Sequence, residues 1–169
     1  MGKNLSITRR NLPHWEMDGC TYFITYRCAT GTELSPAARN IVMDNWKFWH
    51  GKRYLLHAIV VMNDHVHILI TPIRKENGTR FSLQEIIHTN KSFTAHKINK
   101  SMHRSGQLWQ DERFDRIIRD AGEFEEKLIY MRNNPLKSGL VDGAQDYPWW
   151  HRNPNAWLNG GSSTGGPPV

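Results

Sequence analysis

The sequence predicts an α+β domain with a ferredoxin-like, RRM-like split βαβ order, β-α-β-β-α-β-α. Three observations predict it. Short β-branched and aromatic runs alternate with longer stretches of helical period, two of those runs are separated only by a turn dipeptide, and a capped helical stretch follows the last run. Such an order gives a mainly antiparallel sheet with helices on one face.

Each element has its own local reason. Thr21 to Cys28 (TYFITYRC) is β-branched and aromatic and reads as a strand. Ser35-Pro36 is an N-cap followed by proline at the first helical position, and Ala38, Ile41, Val42, Asn45, Trp46 and Trp49 then recur at helical spacing. Tyr54 to Met62 (YLLHAIVVM) and His65 to Pro72 (HVHILITP) are two strands, and Asn63-Asp64 between them is turn chemistry, so they form a tight hairpin. Ser82 to Met102 reads as a long helix with Leu83, Ile86, Ile87, Thr94, Ile98 and Met102 on its apolar stripe. Arg113 to Arg119 (RFDRIIR) reads as the fourth strand. Asp120 and Glu123 form a capping pair that opens a last helix, with Phe124, Leu128 and Met131 on its core face and Pro135 as its stop. Residues 1–13 are polar and basic and are expected as an arm, residues 14–158 as the domain, and residues 159–169, rich in Gly, Ser and Pro, as a disordered tail.

At 169 residues the chain holds one domain of ordinary size, at about 100–200 residues per domain. No apolar run approaches the ~18 residues of a membrane span, and the first residues lack the apolar core of a signal peptide. The two cysteines, Cys20 and Cys28, are too few for a disulfide scaffold and lack zinc or redox spacing, so both are expected reduced in a cytosolic protein. The net charge is +6, and there are nine histidines and eighteen aromatics, seven of them Trp. Charge and rings together suit a single-stranded nucleic acid, which needs both; a solvated basic surface over an aromatic core is the alternative.

His65 and His67 flank Val66. On a strand, residues two apart share a face, so both imidazoles stand side by side, either as a minimal clamp for a divalent metal or as a solvated pair. The surrounding strand is strongly apolar, so two polar residues there need a reason. A third alternating histidine, as in histidine-triad hydrolases, is replaced by Leu69. On the last helix, Tyr130 lies off the centre of the core face and Asn134 is one turn further on. Asn supplies a neutral oxygen ligand, and tyrosine is a potential covalent nucleophile. Lys127, one turn before Tyr130, is placed to stabilise a phenolate. The same helix taken alone also fits a packing tyrosine and an Asn-Pro stop.

Four stretches extend the pattern: RRNLPHW (9–15), KSFTAHKINK (91–100), LWQDERFDRIIRD (108–120) and YMRNNPLKSGLV (130–141). Together with His65-Val66-His67 they resemble the single-tyrosine HUH endonucleases, and within them the REP-associated tyrosine transposases, over residues 9–150. The resemblance implies that His65 and His67 are metal ligands with Asn134 the third, that the ion is Mg²⁺ or Mn²⁺, and that Tyr130, on the last helix, is the nucleophile. It implies a transposase that nicks and rejoins single-stranded DNA carrying an imperfect-palindrome, REP-like hairpin through a 5′-phosphotyrosine, in the cytoplasm and associated with the nucleoid. A monomer is favoured over a dimer. The different-class alternative is a non-catalytic or domesticated single-stranded nucleic-acid-binding protein on the same fold. Asn63-Asp64 departs from the family, which usually has Pro before the histidine motif. That changes the turn and leaves the ligands.

Residues 74–104 hold seven Lys/Arg against Glu76 and Glu85. Lys97, Lys100 and Arg104 are expected on one helix face, where they suit phosphate contacts that position without reading sequence. Lys91 precedes them, and Arg9 and Arg10 lie on the arm. Arg113 and Arg116, with Arg119, are expected on one strand face, either toward DNA or paired with Asp111, Asp115 or Asp120. Trp109 and the Trp149-Trp150 pair are stacking candidates, with core packing as their alternative.

Overall fold

The computed structural model describes residues 5–9 and 13–17 as backbone, and 19–143 and 146–155 with their side chains. The element order is β1 (Leu5–Arg9), β2 (Pro13–Met17), β3 (Tyr22–Cys28), α1 (Pro36–Phe48), β4 (Tyr54–Val61), β5 (His65–Pro72), α2 (Leu83–Ser101), β6 (Trp109–Ile117), α3 (Ala121–Lys137) and β7 (Trp150–Arg152). From β3 to α3 this is the expected β-α-β-β-α-β-α order. The main sheet runs β6-β3-β5-β4-β7, and each of its pairings is antiparallel.

Alternation along the strands divides the core in two. Tyr22, Ile24 and Tyr26 of β3, with Ile59 and Val61 of β4 and Val66, Ile68 and Ile70 of β5, face one way and bury against Val42 and Trp46 of α1 and Leu83, Ile86 and Ile98 of α2. Trp46 is fully buried there, and its indole N–H donates to the Tyr26 hydroxyl at 2.9 Å. Phe23, Ala58, Val60 and Leu69 face the other way and meet Phe124, Leu128 and Met131. The expectation of helices on one face therefore holds for α1 and α2. The last helix lies on the opposite face, because its apolar stripe is what covers the second set of inward side chains.

Capping follows the sequence closely. Ser35 caps α1, Ser82 and Glu85 form a reciprocal capping box on α2, and the Asp120 carboxylate accepts from Glu123 N–H at 2.8 Å on α3. Glu123, rather than returning to its cap, accepts from Arg119 N–H at 2.8 Å and from the Arg119 and Arg116 guanidinium groups at 3.0 and 2.5 Å.

Several local expectations are corrected. Pro135 does not stop α3, which runs on to Lys137. The proline falls within the last turn, where its missing N–H and ring crowding disturb little of the helix beyond it, and that turn is closed by Ser138 N–H to Asn134 O at 3.0 Å and Leu140 N–H to Pro135 O at 2.9 Å. The fourth strand starts earlier, at Trp109, because its backbone already pairs with Cys28 there. Within the stretch expected as an arm, Leu5–Arg9 pairs antiparallel with Pro13–Met17 as a separate two-stranded ribbon. The expected tail at 159–169 lies outside the described residues.

Candidate active site

The site is assembled at one end of β5. The β4–β5 turn is fixed from outside the hairpin, since Leu34 N–H donates to Asn63 O at 2.6 Å and Cys28 N–H to Asp64 O at 2.7 Å. His65 and His67 then start β5 on the face that α3 covers. Both are buried, and so is Asn134 on α3.

Each imidazole is held at Nδ1, which turns its Nε2 toward the other ring. His65 Nδ1 lies 2.5 Å from Asp64 Oδ1, and His67 Nδ1 lies 2.6 Å from Thr25 Oγ1. The Phe23 ring stacks on His67, with centroids 5.4 Å apart and planes at 20°. The two Nε2 atoms consequently meet at 3.1 Å, and the Asn134 amide nitrogen is 3.5 Å from His67 Nε2. Turned over, that carboxamide presents its oxygen at the same place. Burial, followed by the adjacent His65 and Arg27, pushes the pKa of His67 down to about 3, so its ring is neutral at physiological pH.

Two imidazoles aimed at one point, with an amide beside them, suit a divalent cation. An ion bound at about 2.1 Å by two ligands in neighbouring positions holds their nitrogens about 3.0 Å apart, and the observed separation is 3.1 Å. The outer bonds from Thr25 and Asp64 are the kind that orient metal-binding histidines. His65, His67 and Asn134 could together hold a divalent cation, and such a donor set is compatible with more than one metal.

Tyr130 stands on the rim of this group. Its ring meets His67 edge-on at 5.3 Å and Phe23 edge-on at 6.1 Å, and it is 39% exposed. Lys127 Nζ lies 5.5 Å over the same Phe23 ring and 3.3 Å from Glu126 Oε1. The structure thus brings together His65, His67, Asn134, Tyr130 and Lys127. Sequence reasoning missed Thr25 and Phe23, whose roles arise from strand register, and Asp64, which reaches His65 from the adjoining turn position.

The expected DNA contacts divide. Lys97 and Lys100 are exposed on α2. Arg104 is not on that helix face: α2 ends at Ser101, and the Arg104 guanidinium donates to Asn99 Oδ1 at 3.1 Å. Lys91 Nζ donates to Gln110 O at 2.5 Å, bracing β6. Arg113 is buried, with its guanidinium bound to Asp115 Oδ2 and Gln84 Oε1, both at 2.9 Å. Arg113 and Arg116 point to opposite faces, since three residues along a strand reverse the side. Arg119 follows the end of β6 and joins Arg116 on Glu123. Trp109 is core, its N–H bonded to Thr94 Oγ1 at 3.0 Å. Trp149 is half-buried under Arg39, with Trp150 beside it in β7. Arg9 is in β1 by its backbone, and Arg10 lies outside the described residues.

A split βαβ sheet with a His-hydrophobic-His pair on its middle strand, faced by a helix that offers a tyrosine and an amide, is the layout of the single-tyrosine HUH class. The chain belongs to the IS200-like transposase family, whose model matches residues 37–133. A putative REP-associated tyrosine transposase of Haemophilus influenzae is 28% identical over 109 residues, which is 59% of this chain and 60% of that protein. A solved REP-associated tyrosine transposase bound to a REP hairpin superposes with TM-score 0.69 at 18% identity, covering 84% of this chain and 82% of the other. A bacterial tRNA(His) guanylyltransferase-like protein in complex with GTP gives TM-score 0.50 at 15% identity, over 73% of this chain and 65% of the other. At these identities both structures speak to the fold. Among the described residues no helix is long and apolar enough to cross a membrane.

Proposed function

We propose that this protein is a DNA strand-cleaving and strand-joining transposase that acts on single-stranded DNA bearing a REP-like hairpin, with Tyr130 as its nucleophile. The observation that carries the reading is the convergence of His65, His67 and Asn134 beside the half-exposed Tyr130 ring. Family membership, and the REP-associated names of the relatives, support the substrate.

In the proposed reaction the Tyr130 Oη attacks the phosphorus of a phosphodiester. A bond from phosphorus to the phenolic oxygen forms, and the bond to the 3′ oxygen breaks. The phenol proton goes to solvent, and the departing oxygen takes a proton to become a 3′-hydroxyl. Joining runs in reverse, with a 3′-hydroxyl attacking the 5′-phosphotyrosine and the phenol leaving. The exchange conserves one phosphoester bond, so no nucleotide is consumed. Lys127, one turn before Tyr130 and over the same Phe23 ring, stabilises the phenolate. His65, His67 and Asn134 would hold a divalent ion, Mg²⁺ or Mn²⁺, which supplies Lewis-acid polarisation of the phosphate when bound. The reaction is proposed for a monomer, since Tyr130 stands beside His67 of the same chain, with ring centroids 5.3 Å apart.

The test is strand polarity. With Mn²⁺ and a hairpin oligonucleotide, a 3′ label is expected to travel with the protein through denaturing electrophoresis, and a 5′ label to appear on a shortened strand ending in a 3′-hydroxyl. Binding without cleavage in either labelling would instead establish a non-catalytic nucleic-acid binder.

A further inference from the structure

Phe114 is 54% exposed at the middle of a strand, where burying such a ring would stabilise the fold. Its position in the sheet gives that exposure a meaning. Thr25 of β3 pairs with Phe114 of β6 on one side and with His67 of β5 on the other. Side chains at one register level of antiparallel strands share a face, and the Thr25–His67 hydrogen bond confirms which face it is. Phe114, Thr25 and His67 therefore form a row on the face that carries the site. Two strand spacings, about 10 Å, separate the open ring from the buried histidine.

The neighbouring levels add charge. Arg116 pairs with Phe23 one level along, and Arg27 pairs with His65 on the other side. Their side chains are 45% and 53% exposed while bound to Glu123 and Asp64. Both arginines keep surface for phosphate, and the ring lies between their levels. The other well-exposed phenylalanines differ. Phe48 and Phe93 are on α1 and α2, behind the sheet, with Lys52 Nζ 3.5 Å and Lys97 Nζ 5.6 Å from their ring centroids.

We propose that Phe114 is a stacking platform for one unpaired base of the DNA strand whose phosphate is delivered to the His65–His67 end of the sheet, with Arg27 and Arg116 steering the adjoining phosphates. The proposal rests on the DNA reading above. Every base has a π-face, so the platform holds the strand in place without choosing its sequence. A flat ring on a rigid strand also fixes the distance between the held base and Tyr130.

The test is fluorescence anisotropy with the full chain and a labelled oligonucleotide carrying an unpaired flank, followed by abasic substitution along that flank. Phe114→Ala is expected to weaken binding by about five- to 150-fold, the range that one stacked base supplies. Phe114→Trp is expected to restore it. One abasic position should weaken the wild type to the same extent and leave Phe114→Ala unchanged. A ring that only supports the fold would lose affinity equally with intact and abasic DNA, and that result overturns the platform. So does wild-type affinity in Phe114→Ala. Failure of the wild type itself to bind single-stranded DNA overturns the DNA reading together with the platform, which separates the two failures.

Discussion

The Thr25 hydroxyl lies 2.6 Å from Nδ1 of His67, and this bond turns the opposite ring nitrogen toward His65, 3.1 Å away. A threonine on the neighbouring strand thereby sets the geometry of a candidate ligand that the sequence presents without orientation. Thr25→Val keeps the β-branched shape and removes the oxygen. It is expected to leave melting nearly unchanged and to weaken Mn²⁺ binding about tenfold or more, read by calorimetric titration. Undiminished affinity would show that the bond does not orient the ring.

Asn134 is the third member of the group, and its amide approaches His67 from α3. Asn134→Ala is expected to lower Mn²⁺ affinity while the helix persists, since Ala is the best helix former. Asn134→Asp, which replaces the neutral oxygen with a charged one, is expected to bind the ion more tightly than Ala does. Titration of the three proteins side by side gives the ranking.

Glu123 gathers three donors from the β6–α3 junction in a buried position: Arg119 N–H and the guanidinium groups of Arg116 and Arg119. Burial pushes its carboxyl pKa up, but the Arg119 and Arg116 hydrogen bonds outweigh it and hold the group below the ordinary range. Glu123→Gln is expected to cost about 1–3 kcal/mol, measured by urea denaturation at neutral pH. Unchanged stability would mean that the junction does not depend on this carboxylate.

His57 sits at a bulge in β4, with Nε2 2.7 Å from Thr71 Oγ1 and its ring edge-on to Phe124. Burial, with a smaller push from His50, lowers its pKa to about 4. The unfolded chain takes up a proton near pH 6.5, before the folded one does. The neutral ring's contribution is therefore complete above about pH 6.5 and is lost as pH falls through 4, a change of about 3 kcal/mol. His57→Gln is expected to be less stable at pH 8 and to show a shallower decline between pH 6.5 and 4 in chemical denaturation. An identical slope in both proteins would remove His57 as the cause.

Much of this was legible in the sequence because it depends on period alone. Residues two apart on a strand share a face, so His65-Val66-His67 declared its pair. Residues four apart on a helix do the same, so Tyr130 and Asn134 were joined before α3 had been placed. Register between distant strands is not written in local spacing, and Thr25 and Phe114 acquire meaning only once β3 separates β5 from β6. Arginine spacing misled for a related reason. Arg113 and Arg116 look alike on β6, but an odd step put one under α2 and the other beside α3. Pro135 looked like an ending because its local effect is real, yet one missing hydrogen bond does not outweigh the packing of the turn that contains it.

The most direct test of the central claim is the covalent bond itself. Wild-type protein and Tyr130→Phe, incubated with Mn²⁺ and a hairpin-bearing single strand, are compared by denaturing electrophoresis and peptide mass mapping. The account predicts a protein–DNA adduct in the wild type, mapped to Tyr130, and none in the variant, which still binds the DNA. An adduct of undiminished yield in Tyr130→Phe, mapped to another residue, would contradict it.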